Sequence, residues 1–229
     1  MSEVTADVFA EYRTLCEERW GVKVVEKSDS WLMKAIAKIL FFNKRFLTGY
    51  ITTIGTTIYW PKADDLNHND FSTLFHEAQH AYDYKRFPPW FILSYLSPQI
   101  LTILMLLAFV ALTGALWWFV FLGAVAFLAP FPSVFRTHWE MRGLGCGMAF
   151  RIWTTGSIND RFKEFAVARF VGPDYYFMWP FKKWMRKKLA RAEQKIRNGD
   201  LTEVQQATYE FLNTRGLVEA DTDMPTTTG

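Results

Sequence analysis

Residues 71–85 read FSTLFHEAQHAYDYK, and this stretch decides how the rest of the chain is interpreted. It contains His76, Glu77 and His80 in the H-E-x-x-H spacing that is typical of zinc-dependent hydrolases. On a helix, residues four apart share a face, so His76 and His80 can bind one metal ion, expected to be Zn²⁺, from the same side. Glu77 lies about 100° further round, where its carboxylate can take a proton from a metal-bound water.

A helical wheel divides this stretch into a polar and an apolar face. His80 and Asp83 lie within about 60° of His76, whereas the opposite arc carries Phe71, Leu74, Phe75, Ala78, Ala81 and Tyr82. Two histidines that only filled a core would be expected on the apolar arc. The pattern therefore predicts an amphipathic helix with a metal site on its polar face, and a chance pair of histidines is the alternative.

The composition limits the class of protein. The 229 residues are 50% hydrophobic and 17% aromatic and carry a net charge of +3. This length suffices for one domain with an insertion, and the small charge gives no reason to expect a nucleic-acid partner. Cys16 and Cys146 form no C-x-x-C pair and predict no disulfide framework. The polar N-terminus lacks the apolar core of a signal peptide.

Two helices and one strand are predicted ahead of the motif. Apolar spacing indicates helices over residues 5–20 and 30–47. Residues 50–60, YITTIGTTIYW, predict a single strand with a bulge at Gly55. This strand is either an ordinary sheet strand or the edge along which an extended peptide substrate pairs. In the second case the substrate edge consists of Thr53, Ile54, Gly55 and Thr56.

The interval from residue 87 to residue 134 contains no charged side chain. It is longer than the roughly 20 residues that one bilayer crossing needs. A hydrophobic helical hairpin over residues 90–135, which spans the membrane twice or re-enters it, is therefore predicted. The alternatives are one long crossing over residues 100–128 and a hairpin buried in a soluble protein.

A hydrolytic zinc site needs a third protein ligand and an open position for water. The candidates are Asp83, His138, Glu140, Asp160 and Glu164. Glu140 is favoured because Gly143 and Gly147 share its helix face and allow a second helix to come close. The short side chain of Asp83 is better suited to orienting a histidine.

These motifs resemble the membrane-embedded gluzincin peptidases, the group with the CAAX prenyl endopeptidases and the heat-shock peptidase HtpX. His76-Glu77-Ala78-Gln79-His80 matches the first family motif, and Glu140-Met141-Arg142-Gly143 matches much of the second. The resemblance implies that His76, His80 and Glu140 are zinc ligands and that Glu77 is the general base. Leu144 stands where the family has an aspartate, and the family's two N-terminal membrane helices have no counterpart. The resemblance covers residues 50–150.

The expected fold class is α+β, a mainly helical zincin-like domain with a small sheet and an inserted hydrophobic helical hairpin. Residues 1–89 hold the N-terminal helices, the edge strand and the metal helix, and residues 90–135 form the hairpin. Residues 136–218 form a helical part with the glutamate ligand, and residues 219–229 are expected to be a disordered tail. A basic amphipathic helix over residues 182–191 is predicted to lie on a membrane surface.

The predicted function is that of a membrane-associated zinc endopeptidase, which hydrolyses peptide bonds with zinc-activated water. Its partners would be a protein or peptide substrate and a lipid bilayer. A donor for the oxyanion would come from His138, Arg142, Tyr175 or Tyr176. One alternative is a catalytically inactive zincin-like membrane-anchored structural or binding protein, such as part of a virus particle or a secretion assembly. The other is a membrane-perturbing protein in which the motif is accidental.

The choice of Glu140 as a ligand also predicts the topology. Glu140 can meet the histidines only if residues 85 and 136 emerge on the same side of the membrane. The basic residues flanking the apolar interval indicate that this side, with the active site, faces the cytoplasm.

Overall fold

A computed structural model describes residues 4–39, 46–49, 51–61, 68–114, 116–128, 132–175 and 177–218. These residues are mostly helical and include one small three-stranded mixed sheet, which confirms the predicted α+β class. They fall into two compact units. The first comprises Met1–Pro88, Arg142–Ile158 and Ala192–Gly229, and the second comprises Pro89–Met141 and Asn159–Arg191. The predicted tail over residues 219–229 lies outside the described residues.

The first unit contains the metal helix and the sheet. Its elements are α1 (Ala6–Trp20), β1 (Lys23–Glu26), α2 (Trp31–Ile39), α3 (Phe46–Gly49), β2 (Thr52–Ile54), β3 (Thr57–Trp60), α4 (His68–Arg86), the later part of α6 (Val134–Thr155) and α9 (Glu203–Asn213). Helix α1 confirms the prediction over residues 5–20, and its first turn is capped because the Thr5 hydroxyl accepts a hydrogen bond from the Val8 N–H. Of the predicted helix over residues 30–47, the structure describes α2 and α3, and residues 40–45 between them lie outside the described part.

The sheet has the strand order β1-β3-β2. Strand β1 runs parallel to β3, and β2 runs antiparallel to β3 with Thr53 opposite Ile58. The prediction of one bulged strand over residues 50–60 is therefore wrong. Gly55, at φ +64°, begins a two-residue turn that reverses the chain between β2 and β3. Such hairpin turns need a positive φ that glycine adopts without steric cost.

Helix α4 confirms the helical wheel in part. Phe71, Leu74, Phe75, Ala78 and Ala81 of the apolar arc are fully buried, whereas Tyr82 is only partly buried. On the polar face His76 and Glu77 are partly buried, but His80 and Asp83 are 6% and 3% exposed. The apolar arc packs into an aromatic core with side chains from α1 and α6. The ring centroids of Tyr12 and Phe71 are 4.5 Å apart, those of Phe71 and Phe150 are 4.9 Å apart, and those of Phe75 and Trp153 are 6.1 Å apart.

The second unit contains the long uncharged interval. Its elements are α5 (Pro88–Tyr95), two 3-10 helices (Gln99–Thr113 and Leu116–Leu128), the start of α6, α7 (Asp160–Val171), a 3-10 turn (Pro173–Tyr175) and most of α8 (Lys182–Arg197). Many large apolar side chains of the interval are exposed, and Val120 reaches 69% exposure.

The predicted membrane hairpin over residues 90–135 is not confirmed. Among the described residues, no single helix is both long enough and apolar enough to cross a membrane. One bent pair of helices, Pro88–Tyr95 with Gln99–Ala108, meets the length and composition needed for a crossing, with an angle of 84° between its two parts. The hairpin therefore stays a prediction.

Candidate metal centre

Gly143 is the point at which helix α6 approaches helix α4. A Cβ atom at Gly143 would lie 2.7 Å from both Cε1 and Nε2 of His76, a separation that real Cβ atoms essentially never show. The imidazole therefore occupies the space that any other side chain would fill. Glu140 lies on the same uninterrupted helix, three residues before Gly143 and so on the same face. A small residue at position 143 thus brings a carboxylate towards the histidines.

His76, His80 and Glu140 form a group that could bind a metal ion. Their ligand atoms all lie within 4.8 Å of one another. The Nε2 atoms of the two histidines are 3.0 Å apart, and the two rings are inclined at 79°. His80 and Glu140 are 6% and 3% exposed, so these two donors are largely shielded from water, whereas His76 is partly buried.

The donor set fits a small divalent cation. Ligand atoms on a tetrahedral ion with bonds of about 2.0–2.1 Å are separated by about 3.3 Å. The 3.0 Å between the two nitrogens is close to that separation. Two imidazole nitrogens and one carboxylate are also the protein ligands of several hydrolytic zinc sites, which keep a fourth position open. The same donors suit other divalent transition metals, so they specify a metal site rather than one metal.

Tyr95 contacts the carboxylate of Glu140, and the sequence analysis missed this residue. Its hydroxyl donates a hydrogen bond to Oε1 of Glu140, and its ring packs against Phe91 at a centroid distance of 5.5 Å. A hydrogen bond to one carboxylate oxygen fixes the orientation of the group and favours coordination of a metal through the other oxygen. No signal in the sequence singles out Tyr95, because Ser94, Ser97 and other hydroxyl residues lie in the same uncharged interval.

Glu77, the predicted general base, contacts the edge strand. Thr53 Oγ1 donates a hydrogen bond of 2.5 Å to Oε2 of Glu77. Thr53 and Ile54 lie on β2, which is an outer strand of the sheet, whereas Gly55 and Thr56 form the turn that follows. The predicted substrate edge therefore touches the predicted base directly.

Lys27 is a buried cation that the sequence analysis also missed. Its Nζ donates a 2.8 Å hydrogen bond to the Phe46 carbonyl and lies 4.2 Å from the centroid of the Phe46 ring. Burial lowers the pKa of Lys27 to about 8, and attraction to Glu77 acts in the opposite direction. The electrostatic surroundings of Glu77 therefore include an ammonium group from the sheet side of the first unit.

Asp83 and Arg142 bind each other. The Nε and Nη2 atoms of Arg142 each donate a 2.8 Å hydrogen bond to the carboxylate of Asp83, which also accepts a 3.0 Å bond from Gln79. Burial opposes the charge of Arg142, but the bonds to Asp83 raise its pKa overall. Both oxygens of Asp83, the predicted orienting residue, are thus engaged by Arg142 and Gln79. Arg142, a predicted oxyanion donor, directs two N–H groups at Asp83.

The other candidates lie elsewhere in the described chain. His138 is exposed, and its ring contacts Trp139. Tyr175 is partly buried against Phe170, and Tyr176 lies outside the described residues. The alternative third ligands Asp160 and Glu164 belong to α7, where both are exposed and Glu164 pairs with Arg186. Within the described residues, the group that could hold a metal contains Glu140 and none of the other third-ligand candidates.

The chain was compared with models of protein families, with curated proteins and with solved structures, and none of them matches. The comparisons therefore assign no family and no activity. The likeness to gluzincin peptidases stays an expectation that the motifs raise. The geometry of the site is the evidence on which a function can be argued.

Replacement of Gly143 by alanine should weaken metal binding. The added methyl group must displace the His76 ring, so we expect the dissociation constant for Zn²⁺ to rise more than tenfold. Alanine favours a helix over glycine by about 1 kcal/mol, so a loss of binding would not come from a weakened helix. Competition with a chromophoric zinc chelator measures the effect. Gly145→Ala on the same helix is the control, because its Cβ would approach the side-chain amide of Gln205 at 3.2 Å and would not meet His76. Equal affinities of the two variants would contradict the account.

Removal of the Tyr95 hydroxyl should also reduce the metal affinity. Loss of such a supporting hydrogen bond typically costs 10–100-fold, and we expect Tyr95→Phe to lie in this range. The same titration should show little change for Tyr175→Phe, which loses a hydroxyl elsewhere in the second unit. An unchanged affinity of Tyr95→Phe would show that Glu140 does not depend on this contact.

Proposed function

We propose that this chain is a zinc-dependent endopeptidase of the gluzincin type that acts at a membrane. The observation that carries the proposal is the His76, His80 and Glu140 cluster, whose ligand atoms lie within 4.8 Å of one another. Glu77, which follows His76 in the chain, accepts a hydrogen bond from Thr53 on the edge strand β2. A metal-ligand set, a nearby carboxylate and an exposed strand edge are the parts that zinc-dependent peptide hydrolysis requires.

Each residue has a definite role in this proposal. His76, His80 and Glu140 would hold the ion, and a bound Zn²⁺ would supply the Lewis acidity that makes a water nucleophilic near neutral pH. Glu77 takes a proton from the attacking water and passes it to the leaving amine. Because Thr53 binds Oε2 of Glu77, the proton is transferred at Oε1.

The substrate would bind as an extended peptide along β2. Among the described residues this strand pairs only with β3, so a peptide can add to its other edge through main-chain hydrogen bonds. Binding of this kind depends little on the side chains of the substrate. Thr53 then has two functions, because its backbone belongs to the substrate edge and its hydroxyl orients the base.

Association with a membrane is supported by the second unit. Its uncharged interval exposes many large apolar side chains, an arrangement that soluble monomers rarely tolerate as a continuous patch. The bent pair formed by Pro88–Tyr95 and Gln99–Ala108 is its candidate for insertion. Basic residues beside the interval would keep the catalytic side in the cytoplasm.

A second candidate is an inactive zincin-like protein that binds metal and serves as a membrane-anchored structural or binding component. Two observations favour it. Leu144 replaces the aspartate of the resembled family, and Arg142 and Gln79 engage both oxygens of Asp83. Neither position 144 nor Asp83 therefore supplies the carboxylate that usually orients a ligating histidine.

Replacement of Glu77 by glutamine separates the two candidates. If Glu77 is the general base, the variant should retain one zinc per chain and lose about 10²–10⁴-fold in peptidase rate. Glu164→Gln, an exposed carboxylate on α7, should keep full activity. His80→Ala should lose the metal. Zinc bound to both proteins, with no peptidase activity in the unaltered chain on unfolded protein substrates, would favour the inactive candidate. A chain that binds no zinc and behaves like His80→Ala would contradict both candidates.

Replacement of Thr53 by valine tests the orientation of the base. The variant lacks the hydroxyl that holds Oε2 of Glu77, so kcat should fall about tenfold, in line with a lost charge-assisted hydrogen bond. Zinc content should not change. Thr52→Val is the matched control, since neighbouring residues of a strand point to opposite faces. Equal effects at positions 52 and 53 would show that only the stability of the sheet had changed.

A further inference from the structure

The segment from Phe177 to Arg191 presents aromatic and basic side chains together on the surface of the second unit. Phe177 and Phe181 are 44% and 57% exposed. Phe177 also has a φ of +52°, a conformation that is uncommon for a residue other than glycine. We call this region the aromatic–basic surface, and it comprises Phe177, Phe181, Lys182, Lys183, Arg186, Lys187, Ala190 and Arg191.

The charge of the aromatic–basic surface has a single sign. Residues 182–191 contain six cations and no carboxylate. In the described part of the chain, the one ion pair formed by these cations joins Arg186 to Glu164 on α7. Burial and the nearby charge of Arg191 both lower the pKa of Lys188, which shows how closely the cations are spaced. Asp160 and Glu164 of α7 line the same depression as Arg186 and Ala190. The cations outside this ion pair, among them Lys182, Lys183 and Lys187, favour an anionic ligand.

The packing of α8 turns the cations outwards. Met185 and Leu189 are buried, whereas Lys183, Lys187 and Ala190 are exposed and follow one another at helical spacing. The rings of Trp179 and Trp184 contact each other at a centroid distance of 4.5 Å and are tilted by 37°. Lys183, Lys187 and Ala190 therefore form one exposed stripe on α8, and the exposed Phe177 and Phe181 lie just before this helix in the chain.

We propose that the aromatic–basic surface docks on the anionic phospholipid headgroups of a bilayer. The basic side chains contact lipid phosphates, and Phe177 and Phe181 enter the boundary between headgroups and acyl chains. Nucleic acid complements the charge equally well, and its bases can stack on phenyl rings. Lipid is favoured because the same unit also contains the uncharged interval with its exposed large apolar side chains. The inference extends the membrane association of the proposed function and does not depend on peptidase activity.

A fluorescent label on the full-length chain can test the docking. Ala190→Cys introduces a thiol on the exposed stripe, and Ala10→Cys introduces one on the exposed side of α1 as the control. Cys16 and Cys146 are fully buried, and burial raises the pKa of Cys16 to about 12, so neither competes for the label. The labelled proteins are incorporated into nanodiscs of phosphatidylcholine, with or without phosphatidylglycerol, and fluorescence emission is recorded.

Docking predicts a blue shift for the label at position 190 only in the discs with phosphatidylglycerol, and no shift at position 10. The triple variant K182Q/K183Q/K187Q should lower the docking equilibrium constant about 100-fold, at about 1 kcal/mol per lysine. A control that removes the same charge from exposed lysines of the first unit, K23Q/K34Q/K38Q, should leave the shift intact.

Three results would overturn the docking proposal. The first is a chain that enters the discs but shows no lipid-dependent shift at position 190. The second is an equal loss of the shift in both triple variants, and the third is tighter binding to single-stranded RNA than to anionic lipid. A chain that does not enter neutral discs, yet shows the shift with phosphatidylglycerol vesicles, would support docking and contradict the membrane insertion in the proposed function.

Discussion

The metal centre depends on the contact between the His76 ring and the backbone of helix α6 at Gly143. The imidazole occupies the position of the missing side chain, 2.7 Å from where a Cβ would stand. This contact fixes both the distance and the register between α4 and α6. Since Glu140 is three residues earlier on α6, the same register carries its carboxylate to the ligand group.

Apolar packing on the opposite side of α4 holds the two helices together. Phe71 stacks on Phe150 and Phe75 stacks on Trp153, all of them fully buried. Burial of each large side chain contributes roughly 1.5–3 kcal/mol. A buried polar network strengthens the same contact, because Gln79 and Asp83 of α4 are linked to Arg142 of α6. Helix α4 therefore has one face in the core and one face with the chemical groups.

The sequence was sufficient to predict the parts of the site that follow from helical periodicity. The wheel placed the histidines opposite the apolar arc of α4 but did not predict that His80 is buried. The small residues near Glu140 indicated a close helix contact. The turn at Gly55 was missed because the β-branched residues on both sides continue one strand-like pattern. Strand β1, with four residues, is too short to give a periodic signal.

The supporting contacts of the site could not be predicted, because they join elements that are distant along the chain. Tyr95 meets Glu140 across 45 residues, and Thr53 meets Glu77 across 24 residues. Position in the sequence suggested the edge strand around Thr53 but not its hydrogen bond to the base. Asp83 was expected beside a histidine on its own helix, and its charge is instead engaged by Arg142. Pairwise distances of this kind depend on the folded arrangement.

X-ray absorption spectroscopy of the zinc-loaded full-length chain tests the central claim most directly. The account predicts one zinc per chain, with two imidazole ligands and oxygen ligands at about 2.0–2.1 Å. Replacement of Glu140 by glutamine should alter the oxygen shell while the imidazole signal is retained. A chain that binds no stoichiometric metal, or a zinc shell unaffected by changes at both His80 and Glu140, would contradict the account.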